Sequence, residues 1–129
     1  MSLKAVVLNC SLKGGRETSN TRALIDEVIK VFDKKQVETK IFRLADYNIP
    51  AGISDDLGEG DEWPVIFSDI KTADILIIGT PIWLGEKSSI ATKAIERLYG
   101  ASSFTNDKGQ AIYYNKVGGV VVTGNEDGM

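Results

Sequence analysis

The stretch LKAVVLNCSLKGGRETSNTRALIDEVIKVFDK, residues 3–34, decides the fold of this chain. It begins with an almost continuous apolar run over residues 3–8, a pattern typical of a strand buried on both faces of a parallel sheet. A polar loop, NCSLKGGRETSNT, follows over residues 9–21. Apolar residues then recur at helical spacing, at Leu24, Ile25, Val28, Ile29 and Phe32. The stretch therefore predicts a strand, a polar loop and a helix in direct succession.

The polar loop is a candidate anion site, because the first N–H groups of a helix lack intrahelical partners and the helix dipole adds partial positive charge. Its hydroxyl, amide and cationic side chains belong to Ser11, Lys13, Arg16, Thr18, Ser19, Asn20 and Thr21. So many donors suit a terminal phosphate, which has several acceptor oxygens and close to two negative charges. The dinucleotide pattern G-x-G-x-x-G and the triphosphate pattern G-x-x-x-x-G-K-[ST] are absent. The loop predicts a monophosphate site; the alternative is a plain connection in which Ser19 or Asn20 only caps the helix.

Composition excludes several classes of protein and several kinds of site. The chain has 129 residues, enough for one domain over residues 1–129, and a net charge of −3 without a basic run, which argues against a nucleic-acid partner. No apolar stretch is long enough to span a membrane. The single cysteine, Cys10, cannot form an internal disulfide and favours a cytoplasmic location. Histidine is absent, which excludes histidine-dependent triads and histidine metal sites, and a single thiolate excludes a cysteine zinc site.

The rest of the chain continues to alternate strand and helix. Residues 37–44 mix charged and apolar side chains and predict an edge strand. A helix is expected from about Asp61, followed by a second buried strand over residues 74–79. A further helix is expected from Ser88 or Ser89, with its inward face formed by Ile90, Ala94, Ile95 and Leu98. Residues 101–115 are irregular, and residues 116–124 predict a third buried strand. This order predicts an α/β fold with a doubly wound parallel sheet and helices on both faces.

Ligands of such sheets bind beyond the carboxyl ends of the strands, so the three buried strands bring three loops together. The first is the polar loop, the second reads GTPIWLGE over residues 79–86, and the third reads TGNEDG over residues 123–128. One loop is suited to phosphate, one exposes apolar and aromatic groups, and one is rich in glycine. This set predicts a ligand with a charged tail and a large flat ring.

With these loops the sequence resembles the flavodoxin-like NADPH-dependent FMN reductase family, which includes quinone, azo and nitro reductases. Its first loop reads roughly G-S-x-R followed by S-x-N-T, matched by Ser11, Lys13, Ser19, Asn20 and Thr21. Its second reads [ST]-P-x-Y-x-G or P-I-Y-W-G, matched by Thr80, Pro81, Ile82, Trp83, Leu84 and Gly85. Its third resembles T-G-N, matched by Thr123, Gly124 and Asn125. The sequence departs from the family at Cys10, where glycine is usual, at Lys13, where arginine is common, and at Glu86, where a small residue is usual.

The resemblance implies FMN as cofactor, NADPH or NADH as co-substrate, and hydride transfer to a quinone, flavin or similar small-molecule acceptor. It places the phosphate on Ser11, Lys13, Ser19, Asn20 and Thr21, and the ring against Pro81, Ile82, Trp83, Leu84, Gly85, Thr123, Gly124 and Asn125. It implies no catalytic side chain, because the cofactor carries the redox chemistry. Two alternatives remain: a flavodoxin-type electron carrier without a nicotinamide site, and a module of this fold that binds no flavin. Trp83 could instead be a core aromatic, and Cys10 is expected to be a packing residue.

The resemblance also implies a sheet in the order 2-1-3-4(-5), with a fifth strand and helix after residue 124. Only a few residues follow that point, so we expect the chain to be the N-terminal part of a longer polypeptide. The alternative is that another molecule, most simply in a homodimer, covers the fourth strand. A bare strand of this kind would otherwise invite pairing with other chains.

Overall fold

The computed structural model of the chain describes residues 2–12 and 20–124. Strands and helices alternate as the sequence predicts, and the α/β class is confirmed. The elements are β1 (Lys4–Asn9), α1 (Asn20–Lys34), β2 (Glu38–Arg43), a 3-10 turn (Leu44–Asp46), α2 (Trp63–Thr72), β3 (Ile75–Trp83), β4 (Glu86–Lys87), α3 (Ser89–Tyr99) and β5 (Val117–Thr123).

The main sheet is parallel, with the strand order β2-β1-β3-β5. The short β4 pairs antiparallel with the end of β3. When this two-residue strand is set aside, the order is the predicted 2-1-3-4. The flavodoxin-like arrangement is therefore confirmed for these strands.

Helices cover both faces of the sheet. Val6 and Leu8 of β1 belong to a buried cluster with Trp63 of α2 and Ala91 of α3. On the other face the side chain of Ile25, in α1, is fully buried. Because successive residues of a strand point to opposite faces, the apolar run of β1 supplies both cores.

β3 is longer than predicted. The sequence suggested a strand ending at Gly79 and a loop beyond it, whereas the strand continues to Trp83 and turns back into β4. Leu84 and Gly85 form the turn with φ values of 52° and 78°. Positive φ at both central residues is the geometry of the tight hairpin turn that matches strand twist. Pairing with β5 carries the strand through Pro81, and pairing with Glu86 and Lys87 carries it on to Trp83.

Two burial predictions are wrong. β5 was expected to be buried on both faces, but Val117 and Val120 are 65% and 68% exposed, because β5 lies at the edge of the sheet that the structure describes. In α3, Ile95 was expected to point inward and is instead 42% exposed. The inner positions of this helix are Ala91, Ala94 and Arg97, which follow one another at a spacing of one helical turn.

Arg97 is buried because a carboxylate and two carbonyls surround it. Its guanidinium forms a bidentate ion pair with Asp61, and the two side chains are 0% and 1% exposed. It also donates to the carbonyl oxygens of Ser54 at 2.7 Å and Pro50 at 3.0 Å, and lies over the ring of Trp63. The hydrogen bonds from Arg97 hold the pKa of Asp61 at about 2. The pair ties the irregular segment between β2 and α2 to α3.

Candidate functional site

Hydrogen bonds join the ends of β1 and β3 to the start of α3. The Cys10 N–H donates to the Gly79 carbonyl at 2.8 Å. The Ser88 hydroxyl donates to the Cys10 carbonyl at 2.7 Å and accepts the Ala91 N–H at 3.0 Å, so it also caps α3. The Ser88 N–H donates to the Thr80 hydroxyl at 3.1 Å. The first two loops of the predicted site are therefore fixed to one another through buried polar groups.

Replacing Ser88 with alanine should lower the free energy of unfolding by about 1–3 kcal/mol. The variant loses a helix N-cap and leaves the buried Cys10 carbonyl without its donor. Urea unfolding monitored by circular dichroism measures the change. Ser89→Ala, at the exposed neighbouring position, is the matched control and should change stability by less than about 0.5 kcal/mol. Equal midpoints for the two variants would contradict the role given to Ser88.

Thr123 and Gly124, at the start of the third loop, contact the other two loops. The hydroxyls of Thr21, at the start of α1, and Thr123, at the end of β5, lie 2.9 Å apart. A Cβ placed on Gly124 would lie 3.0 Å from Cγ1 of Ile82, so the backbone after β5 packs closely on the end of β3. All three strand ends thus meet at one edge of the sheet, as the sequence predicted.

In the first loop, the structure describes three of the five residues predicted to bind phosphate. Ser11 is buried and its N–H donates to Oδ1 of Asn9 at 3.1 Å. Thr21 is buried and Asn20 is exposed as the first residue of α1. Lys13 and Ser19 lie outside the described residues, as does Asn125 of the third loop.

The second loop places apolar surface at this edge. Pro81 and Ile82 are half-buried, whereas Trp83 is 45% exposed and Leu84, in the hairpin turn with Gly85, is 91% exposed. The alternative interpretation of Trp83 as a core aromatic does not fit this exposure. A hairpin of this kind is suited to contact a flat apolar ring.

An apolar groove of about 350 Å³ lies beside the hairpin, between α3 and the strands β3 and β5. Glu86 and Lys87 form an ion pair of 3.1 Å at this groove, and the hydrogen bond from Lys87 lowers the pKa of Glu86. The apolar side chains of its walls are Ile78, Ile82, Ala91, Ile95, Val120 and Val122.

Cys10 is a buried packing residue, as expected. Burial raises the pKa of its thiol to about 12, so the thiol stays protonated near neutral pH. In the described part of the chain there is no group of three acidic or thiol side chains that could hold a metal ion. Over the same ranges, no helix is both long enough and apolar enough to cross a bilayer.

Sequence reasoning assigned no role to three buried polar residues at this edge: Asn9, Thr80 and Ser88. Thr80 entered only as part of a motif, and Ser88 only as a possible helix start. Their positions in the sequence could have indicated a role in the site. Asn9 and Thr80 each directly follow an apolar run, and Ser88 directly precedes a helix. Their mutual bonds depend on the packing of three separate elements and are not visible in a local pattern.

Comparison with known proteins gives a family match along the chain. Residues 3–129 match the family described as NADPH-dependent FMN reductase. The chain is 36% identical over 137 residues to 8-demethyl-8-aminoriboflavin-5'-phosphate synthase of Streptomyces davaonensis, covering 99% of the chain and 53% of that protein. The crystal structure of RosB with bound 8-demethyl-8-formylriboflavin-5'-phosphate superimposes with a TM-score of 0.87 at 36% identity, over 98% of this chain and 54% of that one.

A second curated relative is the divalent metal cation transporter MntH of Mycobacterium bovis, 39% identical over 131 residues. That similarity covers 98% of this chain and 19% of the transporter. The chain spans about half the length of the Streptomyces relative and a fifth of the mycobacterial one.

Proposed function

The chain belongs to the NADPH-dependent FMN reductase family, and on this basis we propose that its three joined strand ends bind FMN in an NAD(P)H-dependent oxidoreductase. The electron acceptor would be a quinone, a flavin or a similar small molecule. FMN with NAD(P)H as co-substrate is the cofactor set of the family. When bound, FMN supplies the hydride chemistry, so the protein has to bind and orient its ligands and needs no acid–base pair.

The observation that carries the proposal is the contact of the Thr21 and Thr123 hydroxyls, 2.9 Å apart, which joins the start of α1 to the end of β5. Thr123 can donate to Thr21, which leaves the Thr21 proton free for a phosphate oxygen at the start of α1. Lys13 and Ser19, which the resemblance places at the phosphate, remain proposals. A phosphate bound at the start of α1 would leave the flavin ring close to the hairpin.

The hairpin supports the position of the ring. Trp83 and Leu84 expose apolar surface beside the strand end, and Pro81 holds no N–H that would need a partner. Gly124 packs on Ile82, so the start of the third loop lies against the same surface. The ring would thus lie on residues 81–85, with Thr123, Gly124 and Asn125 at its edge.

A second candidate function is the chemical modification of a flavin 5′-phosphate that is substrate and not retained cofactor. The 36% identity to the Streptomyces synthase over 99% of this chain favours it. Both functions need the same phosphate and ring contacts. They differ in whether the flavin is recovered unchanged after each turnover or is consumed as substrate.

One experiment tests the proposed function and separates it from the second. The protein is incubated with NADPH, a quinone and a small catalytic amount of FMN, and the flavin is then released and identified. Many turnovers of NADPH with FMN recovered unchanged support the reductase. Flavin consumed in proportion to product supports the second function. No NADPH oxidation despite bound FMN would favour the electron-carrier alternative, and no flavin binding would favour the flavin-free module.

Trp83 gives a spectroscopic prediction. If it lies against the ring, the emission of bound FMN should be strongly quenched, and Trp83→Ala should recover emission while FMN stays bound. The other tryptophan, Trp63, is the first residue of α2 and is fully buried, so Trp63→Phe should leave the quenching unchanged. Fluorescence of saturated samples measures both. Unchanged emission in Trp83→Ala would place the ring elsewhere.

We further propose that the exposed edge of β5 is covered in the functional assembly, by a second copy in a homodimer or by further polypeptide. The exposed valines of β5 support this, because an unprotected apolar edge strand favours pairing. The oligomeric state and a cytoplasmic location stay predictions.

A further inference from the structure

Asn9, the last residue of β1, has a buried amide that is used only in part. Its side chain is fully buried, and its Oδ1 accepts the Ser11 N–H at 3.1 Å. Across the described residues, Nδ2 of Asn9 has no hydrogen-bond partner. Native proteins pair nearly all buried donors, so a donor left unpaired points to a group that the structure does not contain.

The register of the sheet shows where this amide lies. Asn9 pairs with Gly79 of β3, so the two positions share one face of the sheet. A Cβ on Gly79 would lie 2.8 Å from Ile25 and 3.2 Å from Thr21, so the beginning of α1 covers that face. Nδ2 of Asn9 is therefore a fixed donor beneath the first turn of α1, where the polar loop ends.

The N-terminus of α1 and the unpaired amide are two independent features that favour the same ligand chemistry. The helix N-terminus attracts any anion. The amide adds a donor at a fixed position and cannot itself lose its proton near neutral pH. A phosphate monoester, with several acceptor oxygens, can accept from both at once.

Resting on the proposed FMN site, we propose that Asn9 is a specificity-determining residue that selects flavin 5′-phosphates over unphosphorylated flavin. Its Nδ2 donates to a phosphate oxygen, while its Oδ1 accepts the Ser11 N–H and holds the main chain there.

The test is the ratio of the FMN and riboflavin dissociation constants in Asn9→Asp. The variant keeps the shape of the side chain and the acceptor for Ser11, but turns the donor into a carboxylate oxygen that repels phosphate. The preference for FMN should fall by about 10-fold or more, with riboflavin affinity unchanged. Gln36→Glu makes the same chemical change at an exposed site between α1 and β2, at the opposite end of the sheet, and should leave the ratio unchanged.

Asn9→Leu removes the donor without adding charge and keeps the test valid if the buried carboxylate prevents folding. It should also lose preference for FMN, to a smaller extent than Asn9→Asp. If the wild-type protein prefers FMN and the variants keep this preference, the role of Asn9 is overturned while the proposed phosphate site stands. A wild-type protein that binds FMN and riboflavin equally would overturn the phosphate site of the proposed function as well.

Discussion

Replacing Asp61 with asparagine is expected to lower the free energy of unfolding by about 3–5 kcal/mol, because the change leaves the buried Arg97 guanidinium without its counter-ion. Asp61 also accepts the main-chain N–H groups of Leu57 and Trp63, and an amide can replace only part of these bonds. Chemical unfolding measures the effect. Asp69→Asn is the control, because its ion pairs with Lys4 and Lys40 are partly exposed and should contribute less than about 1 kcal/mol each.

The ion pair of Asp61 and Arg97 also makes the folding stability depend on pH, in a direction that follows from the pKa of Asp61. Arg97 lowers the pKa of Asp61 from 3.8 to about 2, so the ionised carboxylate stabilises the folded state above pH 3.8. That stabilisation is lost as the pH falls from 3.8 through about 2. The stability difference between wild type and Asp61→Asn should therefore shrink over this range. A difference that stays constant would show that the charge of Asp61 is not what holds Arg97.

Replacing Thr21 with valine is expected to weaken FMN binding by about 1–3 kcal/mol and leave riboflavin binding unchanged. Valine keeps the volume and branching of the buried side chain but removes the hydroxyl that bonds to Thr123 and that we propose donates to the phosphate. Titration of both flavins, followed by fluorescence, measures the change. An equal loss for the two flavins would point to disturbed packing.

A matched substitution controls for the loss of a hydroxyl in general. Thr39, in β2, has a half-buried side chain whose hydroxyl donates to the Val37 carbonyl at 3.4 Å, far along the sheet from the strand ends. Thr39→Val should leave both affinities unchanged. FMN binding that is equally tight in wild type and Thr21→Val would remove Thr21 from the phosphate site.

The local patterns of the sequence predicted the elements well. The apolar run of β1 and the periodic residues of α1 lie within short windows, so each could be assigned without knowledge of the partner elements. The parallel order followed from the alternation of strands and helices. The shared edge of the three strand ends, which places Thr21 beside Thr123, followed from that order in turn.

The features that the sequence did not predict depend on residues that are far apart along the chain. Arg97 is inside because Asp61, 36 residues earlier, supplies the opposite charge, and no local period indicates that. The apolar run of β5 indicated a strand, but its neighbours decide whether the strand is central or at an edge. β3 extends to Trp83 because β4 pairs with it, whereas Pro81 and Gly85 favoured a loop.

For the site, the residue types were predictable and their bonds were not. Hydroxyls and an amide after a buried strand indicated an anion ligand, since their chemistry is visible in the sequence. The unpaired Nδ2 of Asn9 was not visible, because it depends on where α1 lies over the sheet.

The most direct test of a phosphate-dependent FMN site at the three strand ends is a titration of the purified wild-type chain with FMN and with riboflavin, followed by flavin absorption and fluorescence. We expect saturable binding of one FMN per chain, with riboflavin bound at least about 10-fold more weakly. Equal affinity for the two flavins, or no binding of either, would contradict this expectation.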